Sequence, residues 1–241
     1  SHFQVNWISK ASAIQRAGRA GRTLPGHCYR LYSSAHFGQS FPDYELPEIS
    51  CVSLEDVVLL MKSMGIQTVA NFPFPSPPNT EALKKAEETL VAIGALDHDS
   101  IKITELGRRL AEFPIGPRHA RMIMKAKERE ESEGVEGLTL YALSLAAVMS
   151  LESPLLLAHG ESDRGQRKKA QQPFVCRVSD PISVLNALCQ FKQHPHPLKF
   201  CKQHLLHDKI MNEMAALERQ LRHMFLRSIS VESDAFLQAQ I

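Results

Sequence analysis

The chain has 241 residues, 44% of them apolar and 22% charged, with 28 Lys and Arg against 26 Asp and Glu for a net charge of +2. That composition suits a globular protein with one large core or two to three small ones, and excludes a disordered or collagen-like chain. A charge this near zero gives no argument for nucleic acid, so any such case rests on local clusters.

Five cysteines, Cys28, Cys51, Cys176, Cys189 and Cys201, contain no Cys-x-x-Cys pair and form no even set, so reduced thiols are expected. The most apolar run, Leu138–Met149, is interrupted by Ser150, Glu152 and Pro154. It is too short to cross a bilayer, and no membrane partner is expected. There is no secretory signal and no initiating Met, and the sequence reads as a fragment of a longer protein.

In chain order, the pattern predicts a helix over Ser12–Gly21 and a half-buried strand over His27–Tyr32. A helix follows with Leu54, Val57, Val58, Leu60, Met61 and Met64 on its apolar face. Thr80 is placed to cap the next, with Leu83, Ala86, Leu90 and Ile93 inward and Gly94 ending it. Asp97–Ser100 reads as a turn between short strands, and Thr104 caps a helix ending near Ala111. That order is a winged helix.

Beyond residue 112 the pattern is wholly helical. A helix from Pro117 to about Glu130 turns Ala120, Met122, Ile123 and Ala126 inward, and Leu138–Met149 is a buried helix. Asp180-Pro181 opens another with Ile182, Val184, Leu185, Leu188 and Phe191 on its face. His204–Arg227 is the last long helix. Arg164-Gly165-Gln166-Arg167-Lys168-Lys169 is the strongest basic run; it lacks apolar periodicity and reads by default as a solvated, flexible insertion near 159–176, with nonspecific attraction of phosphate as its functional alternative. On the last helix Lys209, Arg219, Arg222, His223 and Arg227 alternate with apolar residues, as on a nucleic-acid-facing wall or on any surface helix.

Gln15-Arg16-Ala17-Gly18-Arg19-Ala20-Gly21-Arg22 carries the most chemistry. On a helix, three arginines at three-residue spacing repel one another, and Gly18 and Gly21 cost roughly 1 kcal/mol each relative to Ala. Guanidinium forks bind phosphate oxygens bidentately, and small residues let the backbone come close. A phosphate-facing cluster is expected.

This octapeptide resembles the sixth motif of superfamily 2 helicases in the Gln-initiated form of the DEAH-box group. The resemblance continues through Gly26–Tyr32, Leu46–Ile49, Phe72–Pro78, Gly94–Asp97, Thr104–Arg108, Phe113–Arg118, Ser179–Pro181 and Phe200-Cys201. It implies a mainly α chain: the C-terminal remnant of a second RecA-like α/β domain (1–44), a winged helix (45–111) and a ratchet-like helical bundle (112–241). It also implies ATP with Mg²⁺ in the full-length parent. The family roles fall on Gln15, Arg19 and Arg22 as catalytic residues, Arg19 and Arg22 as arginine fingers, with Arg16, Gly18 and Gly21 completing the ATP-facing motif. RNA contacts are expected from Arg164, Arg167, Lys168, Lys169, Lys209, Arg219 and Arg222. Cys28–Ala35 and Phe72–Pro78 resemble the nucleolar branch acting in small-subunit ribosome assembly. That implies nuclear, nucleolar localisation, pre-rRNA or snoRNA-containing partners and a G-patch-type activator.

The sequence holds no Gly-x-x-x-x-Gly-Lys-Ser/Thr loop and no Asp-Glu-Ala-His, so this chain alone is expected to be inactive as an ATPase. Cys201-x-x-His204-x-x-His207 has zinc-type ligands but no assured fourth, and no metal is expected. The candidate reading helix Glu81–Glu88 balances acids and bases, unlike a DNA base reader. The rival to the helicase is a stand-alone winged-helix and helical module binding nucleic acid or protein without ATPase activity.

Overall fold

The computed structural model describes residues 7–50, 52–155 and 161–238, with side chains over 7–50, 52–155 and 165–226. The fold is mainly α, and its contacts divide the chain into two compact units, 1–54 with 73–80 and 55–72 with 81–241.

In the first unit, α1 (Lys10–Ala17) starts where Ser9 Oγ accepts from the Ser12 amide at 3.0 Å. The amides of Lys10 and Ala11 donate to the carbonyls of Pro42 and Asp43, and Lys10 Nζ meets Asp43 Oδ1 at 2.9 Å. The expected helix to Gly21 stops at Gly18. The two glycines weaken it, and the amides of Arg19 and Ala20 turn to the carbonyls of Arg16 and Ala17 instead. A short helix absent from the sequence reading, α2 (Ser34–Gln39), is capped by Ser33. Its Phe37 joins Tyr32, Phe41 and Trp7 in an aromatic group.

The expected strand His27–Tyr32 does not form. Tyr29 is 88% and Leu31 101% exposed. Alternation marks a segment fit for a sheet, but a strand exists only through its ladder, and no described segment pairs with this one.

The second unit opens with α3 (Leu54–Ser63), which buries Val58, Leu59, Met61 and Lys62. Leu60 and Met64 are exposed, contrary to expectation; at about 100° per residue they lie opposite Val58, while Leu59 falls inside its arc. The next helix, α4 (Thr80–Ala92), buries Leu83, Ala86 and Leu90 as expected. The two short strands expected around Asp97–Ser100 reduce to a single antiparallel bridge, Leu96–Ile103. Asp97 Oδ1 takes up the turn's donors, accepting from the Ser100 amide at 2.9 Å and its hydroxyl at 2.7 Å. Thr104 caps α5 (Glu105–Ala111) through the Gly107 amide and donates to the carbonyl of Gly94 at 2.7 Å, tying the two helices together. A Cβ on Gly107 would stand 2.1 Å from the Ala95 carbonyl oxygen, so only glycine permits that approach.

The bundle is built on α6 (Pro117–Glu133), α7 (Leu138–Ser150), α9 (Asp180–Gln193) and α11 (Asp208–Gln238), with α7 packed against the other three. Its core includes Ile123, Leu143, Ala146, Leu188, Met211, Met214 and Leu221, all 1% exposed or less. Burying one such large side chain stabilises by roughly 1.5–3 kcal/mol. The expected His204–Arg227 helix is instead two: α10 (Pro197–His204) ends at Leu205, with φ at +53°, before α11 begins.

The basic run, expected as a flexible insertion, folds into α8 (Glu161–Gln171) with a 3-10 turn over Gln172–Phe174. Burial of Phe174 in the bundle core, its tilted and edge-on ring contacts with Phe200 and His204, and the bonds from Gln171 Nε2 and the His204 ring across α8 and α10 hold it there.

Candidate nucleotide-facing motif and cationic surfaces

Helix α1 presents Gln15 and Arg16, while the turn after it carries Gly18, Arg19, Gly21 and Arg22; all six residues are exposed. Gln15, Arg16, Arg19 and Arg22 make no side-chain hydrogen bond or ion pair with any described residue. The α1 carboxyl end favours nearby cations by a few tenths of a kcal/mol to about 1 kcal/mol each, and nothing else on the described surface compensates their mutual repulsion. A Cβ on Gly21 would meet nothing within 4 Å and one on Gly18 only ordinary contacts, whereas one on Gly26 would stand 2.1 Å from the Ala20 carbonyl oxygen. Gly26 is thus needed to fold the loop back, and the fold imposes no such need at Gly18 or Gly21. Three guanidinium groups beside open backbone can receive an oxyanion with several oxygens.

The other sequence-predicted cations fare differently. Arg222 Nε donates to Glu218 Oε1 at 2.7 Å, and Lys192 Nζ pairs with the other carboxylate oxygen. Ser144 donates to the same carboxylate at 2.9 Å. Glu218 is 1% exposed. Burial alone would raise its pKa, but the bonds and charges of Lys192, Ser144 and Arg222 outweigh that and hold it below the ordinary value. Glu218 therefore ties α11 to α7 through Ser144 and to α9 through Lys192, and Arg222 braces it from its own helix. Arg219 donates to its own helix at the Ala215 carbonyl, and Lys209 lies 3.9 Å from Glu213. The side chain of Arg164 lies outside the described residues, as does that of Arg227; Arg167 is half-buried, while Lys168, Lys169 and His223 are exposed.

Two charged residues that sequence reasoning missed are structural. Lys62, 3% exposed, donates to the carbonyls of Gln67 and Ile101 at 2.9 and 3.0 Å and meets Glu87 at 3.1 Å, pinning the segments around Gln67 and Ile101 to α3 and α4. Arg118 clasps Glu55 with two bonds of 3.0 and 2.7 Å, joining α6 to α3.

Among the described residues no three His, Cys, Asp or Glu side chains are grouped to hold a metal. Cys201 is buried, with its thiol pKa pushed up by that burial and by Asp208, and the His204 ring nitrogen is engaged with the Ala170 carbonyl. No described helix is long and apolar enough to cross a membrane.

Comparison with known proteins assigns this architecture. Residues 86–115 match the winged-helix part of the helicase associated domain (HA2), and residues 116–236 match its ratchet-like part. The chain is 41% identical, over 91% of its length, to the ATP-dependent RNA helicase DEAH13 of Arabidopsis thaliana. It is 38% identical over 92% to the human probable ATP-dependent RNA helicase DHX37, and 35% over 97% to the probable ATP-dependent RNA helicase DHR1 of Saccharomyces cerevisiae. The chain belongs to the helicase associated domain family. It spans about a fifth of the length of these curated relatives.

Proposed function

We propose that this chain is the C-terminal part of an ATP-dependent RNA helicase, and that Gln15–Arg22 is its contribution to the ATP site. The observation that carries this is the set of three exposed arginines, Arg16, Arg19 and Arg22, unpartnered among the described residues and set beside glycines whose open side is not needed by the fold. A P-loop half would hold Mg-ATP. Against it, Gln15 would approach the terminal phosphate and attacking water, and Arg19 and Arg22 would meet charge developing on the γ-phosphoryl oxygens. Arg16 would brace the motif. No described carboxylate cluster fits Mg²⁺, so the metal falls to the P-loop half.

The division into 1–44, 45–111 and 112–241 accompanies this reading, with RNA tracking along the bundle toward its 3′ end. The likeness to the relatives named above supports RNA as the substrate, and the resemblance at Cys28–Ala35 and Phe72–Pro78 supports a nucleolar helicase acting on pre-rRNA or snoRNA-containing assemblies. A G-patch-type activator docking on the winged helix and the second RecA-like domain belongs to the same proposal. The test is phosphate release from ATP, with and without RNA. The full-length protein should turn over and this chain alone should stay at background; turnover by the chain alone that disappears with Arg19→Ala would overturn the assignment.

A further inference from the structure

Helices α8 and α10 lie side by side, joined by Gln171 Nε2 to the Leu205 carbonyl at 3.2 Å and by the His204 ring to the Ala170 carbonyl at 2.7 Å. The Phe174 ring packs against Phe200 and His204 of α10, and from there residues 175–179 run toward α9. Two bonds to α9 fix this loop: Asn186 Nδ2 donates to the Phe174 carbonyl at 3.1 Å, and the Cys176 amide to Ser183 Oγ at 2.8 Å. Even so, Val175 is 57% and Val178 92% exposed, and Leu198 on α10 is 62% exposed. Single exposed aliphatic residues are ordinary; these differ in their neighbours. Arg177 stands between the valines, Lys199 follows Leu198, Lys202 lies one turn beyond it, and Lys168 and Lys169 are on α8. All five cations are exposed, and none of their side chains makes an ion pair or hydrogen bond with a described residue. Residues 161–207 hold eight Lys or Arg and three Asp or Glu, a net charge of +5 in a chain whose total is +2. Helix dipoles favour Lys168, Lys169 and Lys202, which lie in last turns. They disfavour Lys199 in the first turn of α10 and Arg177 just ahead of the Ser179 cap of α9.

We infer that Arg177, Val178, Leu198, Lys199 and Lys202 form a docking surface for an acidic protein segment whose carboxylates alternate with aliphatic or aromatic side chains. Such segments are a recognisable compositional class. The carboxylates meet the cations, which steers encounter, and the apolar side chains cover Val178 and Leu198, the anchors that a protein interface needs at its centre. Lys168 and Lys169 extend the attracting field. Val178 is four residues from Phe174 and Leu198 two from Phe200, and those rings have centroids 5.7 Å apart. An extended segment advances about 3.3–3.6 Å per residue, so a short one can reach both the loop and α10. The bonds that fix the loop reduce the ordering that docking would otherwise cost. A nucleic acid fits less well. Its backbone offers the aliphatic side chains nothing, and its bases stack on exposed rings, whereas Phe174, Phe191 and Phe200 are 2%, 4% and 3% exposed. A second copy of this chain fits worst, because an isologous pair would set this positive surface against itself.

The experiment titrates the full-length protein, by fluorescence anisotropy, against three labelled probes: a synthetic acidic peptide with Leu or Phe at every third or fourth position, polyglutamate, and poly-U RNA. The acidic–apolar peptide should bind more tightly than polyglutamate. Val178→Ser with Leu198→Ser should weaken the peptide by about tenfold, equivalent to about 1.4 kcal/mol of lost contact, and leave polyglutamate and poly-U binding unchanged. Arg177→Ala with Lys199→Ala and Lys202→Ala should weaken peptide and polyglutamate alike and flatten the salt dependence of both. Lys125→Ala with Lys127→Ala and Arg129→Ala on α6, where each cation already has an acid, should change neither. Unaltered thermal melts establish that the variants are folded. Peptide affinity that is the same in the unaltered protein and in both folded variants overturns the surface, and so does failure of the unaltered protein to bind the peptide. A loss in the cation variant confined to poly-U assigns the cations to RNA and overturns it as well.

Discussion

Helix α6 and the α8–α10 face are both rich in cations and dispose of them in opposite ways. From Pro117 to Gly137 there are five Lys or Arg and five Glu, and every base finds an acid: Arg118 with Glu55, Arg121 and Lys125 with Glu128, Lys127 with Glu131, Arg129 with Glu133. The remaining helix carboxylate, Glu130, accepts from the Gly137 and Thr139 amides at 2.8 Å each and so caps α7. Counting cations alone along the sequence would treat the two regions alike as surface clusters. Pairing separates them: α6 is electrostatically closed, while Lys168, Lys169, Lys199 and Lys202 are left to an external anion, as Arg16, Arg19 and Arg22 are in the other unit.

That contrast breaks first at the arginine motif. If its unpaired guanidinium groups exist for a transferring phosphoryl group, Arg19→Ala or Arg22→Ala in the full-length protein lowers kcat by about 10³ to 10⁵ while ATP affinity changes far less. Arg→Lys does not restore the rate, because the planar fork is lost. Steady-state turnover with nucleotide-binding measurements decides it; near-normal kcat in both Ala variants removes the motif from catalysis.

The buried cation gives the next largest effect. Lys62→Met keeps the apolar stem but leaves the Gln67 and Ile101 carbonyls without their donor, at about 1–3 kcal/mol apiece. Denaturant unfolding of this chain should show a loss of that order. A neutral result would mean that water enters and takes over the ammonium's role.

These cases show what the sequence could and could not reveal. The α4 face at Leu83, Ala86 and Leu90 and the core-facing residues of α9 were legible, because local spacing and turn chemistry determine them, while the helix read through Gln15–Gly21 was legible only as far as Gly18. The Lys62 and Glu218 clusters were not, since their members come from separate elements and a lone Lys or Glu in an amphipathic helix looks like surface. The basic run was misjudged for a related reason: Gln166–Lys169 has no apolar period, and α8 is held mainly by Phe174, beyond its end. His27–Tyr32 failed the other way, showing a strand's pattern without a described partner for its ladder.

Glu218 tests the middle of the range, a buried acid shared by two half-exposed cations. Glu218→Gln should destabilise by about 1–3 kcal/mol, the scale of a charged hydrogen bond lost in a site whose cations can still reach water. Its folded pKa is lowered, so its contribution is fully present above the ordinary value of 4.5 and is lost as pH falls through the folded value. The wild type should therefore lose more stability than the Gln variant as pH falls from above 4.5 into the acid range, which thermal melts across that range would read. Parallel pH profiles would show that the carboxylate gains nothing from its partners.

The smallest effect should come from the closed side of the comparison. Arg129 reaches Glu133 through Nε and Nη2 at 3.0 and 3.1 Å, with both side chains about half exposed. An exposed i,i+4 pair contributes little, and salt reduces it further. A double-mutant cycle with Arg129→Ala and Glu133→Ala should return a small favourable coupling at low salt and less at high salt. Neither single change should alter RNA affinity, because removing Arg129 takes away a cation already neutralised by its neighbour. A fall in RNA binding with Arg129→Ala would show that the pair opens to receive phosphate, and that a cation paired within the fold remains available to RNA.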